Sequence, residues 1–152
     1  MTIASLATIL NQARQNNQAI AGLVVLGWED INAFIAAAEA ENMPVILQAG
    51  PGCRAHTPIP VLGAMFRYAA ERASVPIVCH LDHGYEIQEI EEAIQSGFSS
   101  VMIDGSKMPL SQNIEITGHV VSIAHRAGVS VEGEIGIVGY TDELSSQGTE
   151  PD

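Results

Sequence analysis

Positive charge is scarce in this chain. Lys and Arg total 6 among 152 residues against 18 Asp and Glu, a formal net charge of -12. Without a basic stripe to replace phosphate counterions, nucleic acid is excluded as an expected partner. Aromatic residues are few as well, at 5% against 47% hydrophobic residues overall. The core must therefore be aliphatic, which suits layered α/β packing better than an aromatic-centred sandwich. The two cysteines, Cys53 and Cys79, cannot form a disulfide framework and read as small apolar fillers. No apolar run reaches the length of a bilayer span, so no membrane association is expected. The opening stretch MTIASLATILNQARQN lacks a charged leading segment and a small-residue cleavage site. It reads as an amphipathic helix rather than a signal peptide, and the expected location is the cytoplasm. A Gly-rich nucleotide fingerprint is missing too: AGLVVLGWED carries only Gly22 and Gly27.

What is present alternates, within a length that suits one domain. A helix over about 3–16 leads to an apolar strand over about 20–26. Helical periodicity follows in WEDINAFIAAAEAEN, with Ile31, Phe34, Ile35 and Ala38 on one face. MPVILQAG reads as a second strand, GPGCRAHTPIP as a Gly/Pro loop and VLGAMFRYAAERA as a helix. SVPIVCHL is a third strand, and EIQEIEEAIQSG a helix with Ile87, Ile90 and Ile94 inward, closed by Gly97. FSSVMID, PLSQNIEITGHVVSIAHRAG and VSVEGEIG complete the pattern as strand, helix and strand, with Gly118 weakening the last helix. The strands are nearly continuous apolar runs, the mark of parallel strands covered on both faces. A repeat of roughly 25–30 residues fits an α/β barrel or a doubly wound sheet; the missing fingerprint weakens the second.

Polar residues collect at strand ends. His80, Asp82 and His83 close the third strand, Asp104 and Ser106 the fourth, Glu132 and Glu134 the fifth. The carboxyl ends of strands form the rim where α/β barrels carry out chemistry. Glu132 and Glu134, two apart on a strand, point to one side, and His80 and Asp82 share that relation. Imidazole and carboxylate ligands meeting there suit a divalent metal such as zinc. Taken singly, each residue has a simpler reading: Asp82 as a cap, His80 as a satisfied core histidine.

Three motifs in order, His80-Leu81-Asp82-His83-Gly84, Met102-Ile103-Asp104-Gly105-Ser106 and Val131-Glu132-Gly133-Glu134-Ile135-Gly136, resemble the class II, metal-dependent fructose-bisphosphate and tagatose-bisphosphate aldolases. The resemblance runs over essentially the whole chain. It implies a zinc-dependent (β/α)8 TIM barrel, commonly a dimer or tetramer, that cleaves a ketose bisphosphate to dihydroxyacetone phosphate and an aldehyde, or condenses them. It also implies roles: His83 as first zinc ligand, Asp104 and Glu134 as an alternate or second metal position, and Asp82 as the acid/base at the C4 hydroxyl. Gly139-Tyr140-Thr141-Asp142-Glu143 is similar to the family's mobile loop, whose carboxylate, here Asp142, handles the C1 proton of dihydroxyacetone phosphate. Residues 140–152 would be that flexible active-site loop.

The pattern also departs from the family. Leu23-Val24 stands where members have Phe-Asn, Gly50 where a Ser or Thr touches substrate, and Tyr140 where the loop has a second glycine. An alternative is therefore a non-catalytic barrel acting as a binding or assembly subunit. A whole barrel takes about 250 residues, so five strands are expected to be the N-terminal portion of a longer domain. By the resemblance, two further zinc-ligand histidines and the phosphate loops follow on later strands. His119 and His125, inside a predicted outer helix, are expected to be surface or packing residues.

Overall fold

Five parallel strands lie side by side in chain order, each joined to the next through at least one helix. In a computed structural model, which describes residues 3–136, the strands are β1 (Ala21–Val24), β2 (Val45–Ala49), β3 (Ile77–Gly84), β4 (Ser100–Ile103) and β5 (Ser130–Gly133). The helices are α1 (Leu6–Gln15), α2 (Trp28–Ala40), α3 (Pro51–Arg54), α4 (Ile59–Arg72), α5 (Ile87–Gln95) and α6 (Leu110–Arg126). Sequential order with parallel pairing throughout is the βα succession of an α/β barrel, over five units. Among the described residues, neither β1 nor β5 has a second partner strand. No described helix is long and apolar enough to cross a membrane.

The two faces of the sheet differ. Leu47, Ile77, Cys79, Leu81, Val101 and Ile103 lie in one core with Ile31, Leu62, Phe66, Ile90 and Val120 of the covering helices. This is the apolar double layer that the continuous strand runs require. The core is aliphatic apart from one edge-to-face pair, Phe66 and Phe98, with centroids 5.5 Å apart. Cys53 and Cys79 are buried and unpaired, and burial pushes the Cys79 thiol up to about 12.

On the opposite face the register aligns Ile46 with Val78, Gln48 with His80, His80 with Ser100 and Met102 with Glu132. Helix α1 covers the amino end of that face. Leu6 and Ile9 pack with Val78 against Ile46, and the Ala7 amide donates to Ser130 Oγ at 3.3 Å. The carboxyl end is left to polar side chains.

Two local features differ from the sequence reading. The Gly/Pro loop contains a helical turn, α3, because Pro51 at its first position has the required φ and no amide to satisfy. Strand β3 continues past Leu81 to Gly84, with one extra residue relative to β4 between the Leu81–Val101 and Gly84–Ile103 pairs. Helix α6 runs unbroken through Gly118.

Candidate metal centre

The irregularity in β3 decides which side chains reach the rim. In a regular strand, Asp82 and His83 would point to opposite faces. Here His83 has φ 49°, a left-handed conformation that costs a non-glycine residue about 1–2 kcal/mol. The extra residue and this twist bring both side chains to one end of the sheet, as β-bulges commonly do.

His83 Nδ1 lies 2.9 Å from Asp104 Oδ2 and 3.6 Å from Glu134 Oε2. Ligand atoms of the three residues lie within 4.8 Å of one another. One imidazole nitrogen and two carboxylates, partly buried but open to solvent, make a donor set that fits a divalent cation. The charge balance points the same way. Burial opposes protonation of His83, yet the Asp104 hydrogen bond and the charges of Asp82, Asp104 and Glu134 outweigh it and raise its pKa. Burial likewise opposes ionisation of Asp104, but hydrogen bonds from Ser106 and His83 hold its carboxyl below the ordinary value. A site that draws a proton this way is short of positive charge.

Each ligand is fixed from behind. The Asp104 amide donates to Gly84 O at 2.8 Å, and Ser106 N donates to Asp104 Oδ1 at 3.0 Å. Glu134 is held through its backbone: Asn113 Nδ2, on α6, donates to Glu134 O at 2.7 Å. Thr117 Oγ1 donates to Asn113 Oδ1 at 3.0 Å. Gly105 makes this possible, since a Cβ there would meet Asn113 Oδ1 at 2.6 Å.

Asp82 sits beside the ligands. Gln48 Nε2 donates to its Oδ1 at 3.3 Å. A Cβ at Gly50 would lie 3.2 Å from Oδ2, and one at Gly22 would lie 2.8 Å from Gln48 Oε1. Burial raises the Asp82 pKa, with His83 and Arg54 pulling it down. His80 lies deeper, 1% exposed, with Nδ1 2.8 Å from Ser100 Oγ. Its Nε2 is 3.5 Å from Glu132 Oε2, yet the alignment makes no hydrogen bond and that nitrogen is unpartnered. Burial, then His83, lowers the His80 pKa to about 4, so the ring is neutral. Burial, then Asp82, raises the pKa of Glu132.

The structure thus brings together Asp82, His83, Asp104 and Glu134. Asp142, with Tyr140 and Glu143 and the loop 140–152, lies outside the described residues. His119 and His125 are exposed on α6, away from the rim. Three contributors were not singled out from sequence: Gln48, Arg54 and Asn113. Gln48 carried a signal, a polar residue inside an apolar strand. Asn113, in a helix of mixed polarity, carried none.

A βα succession of this kind, with a donor set at its strand ends that a divalent cation would fit, defines a class, the α/β-barrel proteins with chemistry at the strand-end rim. Comparison narrows it. The family model for fructose-bisphosphate aldolase class-II matches residues 4–152, and the chain belongs to that family. It is 37% identical over 139 residues to a fructose-bisphosphate aldolase of Helicobacter pylori strain J99, covering 90% of this chain and 45% of that protein. It is 38% identical over 148 residues to a 6-phospho-5-dehydro-2-deoxy-D-gluconate aldolase of Shouchella clausii, covering 94% and 50%. Among solved structures, the YdjI aldolase from Escherichia coli K12 superposes with a TM-score of 0.84 at 33% identity, over 88% of this chain and 51% of that one. Fructose-bisphosphate aldolase from Campylobacter jejuni gives 0.80 at 25% identity, over 91% and 47%. The chain spans about half the length of the relatives it matches.

Proposed function

We propose that this chain supplies the first half of a zinc-dependent aldolase active site acting on a ketose bisphosphate, with dihydroxyacetone phosphate and an aldehyde as the cleavage products. The observation that carries the reading is the convergence of His83, Asp104 and Glu134 beside a partly buried Asp82 whose Oδ1 accepts from Gln48. His83, Asp104 and Glu134 would hold the metal. When bound, the cation supplies Lewis-acid polarisation of a carbonyl.

Asp82 does the proton work. Gln48 occupies Oδ1, which leaves Oδ2 to accept the C4 hydroxyl proton in cleavage. The electron pair of the broken C3–C4 bond stays with the dihydroxyacetone phosphate fragment, and C4 departs as the aldehyde carbon. In condensation Asp82 returns the proton to the aldehyde oxygen. Burial raises its proton affinity, which makes its ionised form a stronger base. Asp142 would deliver the proton that the C3–C4 electron pair takes up, at the carbon that becomes C1 of dihydroxyacetone phosphate, and would remove it in condensation. By the family resemblance, two more histidines and the phosphate-binding loops come from outside these residues.

A second reading is a non-catalytic binding or assembly subunit. It is favoured by the surroundings of Asp82 Oδ2, where Gly50 and Val24 offer no polar side chain. Zinc content and a coupled aldol-cleavage assay on the full-length protein separate the two. Under the first, the protein carries zinc, His83→Ala lowers its zinc content, and Asp82→Asn retains metal while turnover falls on the order of 1,000-fold. A zinc-loaded protein that turns over no ketose bisphosphate supports the second. Full activity in Asp82→Asn removes the proposed base.

A further inference from the structure

We propose that Arg54 is a positioning residue that holds the left-handed turn at His83 and so aims both the metal ligand and the base. The inference rests on the metal-site reading of Asp82 and His83, and deepens it. The Arg54 side chain is only 7% exposed. A guanidinium is always charged, so such burial requires that its donors be met. Nη1 donates to Ala49 O at 2.7 Å and to Asp82 O at 2.5 Å. Nη2 donates to His83 O at 2.8 Å and faces Glu89 Oε1 at 3.6 Å. Three hydrogen bonds thus go to main-chain carbonyls, Glu89 adds an ion pair without a hydrogen bond, and the buried Nε lacks a partner.

Three of these acceptors are main-chain carbonyls at the ends of adjacent strands. Two of them belong to Asp82 and His83 themselves. In that segment the register with β4 shifts and His83 adopts φ 49°. Neither Asp82 nor His83 has a register partner on β2 or β4, and Arg54 donates to the carbonyls of both. Glu89 ties the clamp to the following helix, since its Oε2 accepts the Tyr85 amide at 2.9 Å and the Glu86 amide at 3.4 Å. A buried charge kept for packing alone is costly to stability. A planar donor fork spanning the ends of β2 and β3 is instead a geometric device that one ammonium cannot reproduce.

The test uses the full-length protein with cobalt(II) in place of zinc, its d–d absorption reporting the ligand field. Arg54→Ala is expected to weaken cobalt binding on the order of 10–100-fold and to change the absorption bands, as loss of an outer support does. It is also expected to lower kcat with KM little changed, and to speed amide hydrogen exchange over residues 79–85. Added guanidinium should restore part of each loss. Arg54→Lys should resemble Arg54→Ala more than the parent, while Glu89→Gln should shift cobalt affinity by less than about 3-fold, since it removes a partly exposed ion pair and spares the carbonyls. A folded Arg54→Ala protein with parental exchange at 79–85 and parental cobalt affinity overturns the proposal. Should Arg54→Ala not fold, Arg54→Lys with both properties at parental values does the same. If the parent itself takes up no cobalt, the metal reading fails, and the exchange comparison still decides Arg54.

Discussion

Acid should loosen this fold through His80, and the size of the effect follows from its burial. The imidazole is 1% exposed and wedged against Ser100, with Glu132 the carboxylate nearest its free nitrogen and His83 the nearby imidazole that disfavours its charge. Folding lowers its pKa from 6.5 to about 4. The sign follows from proton counting. Below pH 6.5 the unfolded chain binds a proton that the folded chain refuses, so stability is full above 6.5 and drains away as pH falls towards about 4. Linkage with these two values gives a loss of about 2 kcal/mol between pH 7 and pH 5, and about 3 kcal/mol by pH 4. Urea unfolding of the full-length protein measures this, with a chelator present so that metal release does not contribute. The comparison protein is His80→Gln, which can still bond Ser100 but does not titrate. Carboxylate titrations occur in both proteins and largely cancel in the difference. The parent should lose about 2 kcal/mol more than His80→Gln from pH 7 to pH 5. Equal losses in the two proteins, or a His80 ring titrating near 6.5 by NMR, would refute the reasoning.

Two glycines should respond to alanine with opposite sign. At Gly63 in α4 a Cβ would run into the backbone oxygen of Ser96, so Gly63→Ala should cost about 1–2 kcal/mol despite its helix-propensity gain. At Gly118 in α6 nothing lies within 4 Å of an added Cβ, so Gly118→Ala should stabilise by about 1 kcal/mol; denaturant midpoints read both. Asn113→Ala should leave the Glu134 carbonyl unheld and weaken metal binding on the order of 10-fold without touching a ligand, as measured by chelator competition. Unchanged affinity would show that β5 positions Glu134 unaided.

The order of elements was legible in the chain because each segment carries its own period. Nearly continuous apolar runs such as AIAGLVVLG, and helices with Ile31, Ile35 and Ala38 or Ile87, Ile90 and Ile94 on one face, fix the βα alternation locally. The clustering of His80, Asp82, His83, Asp104, Glu132 and Glu134 at strand ends was legible for the same reason, and their motifs pointed to the family. Tertiary structure decided which of them meet. Strand alternation pairs His80 with Asp82, but the bulge and the left-handed His83 bring His83 to the same rim and leave His80 below it, neutral and buried. That outcome depends on donors distant in sequence: Arg54 on the carbonyls of residues 82 and 83, Gln48 on Asp82, and Asn113 behind Glu134. Periodicity records only which face a residue prefers. Hydrogen bonds between separate elements exist only once the strands lie side by side, so these supports belong to the fold and not to any local stretch of chain.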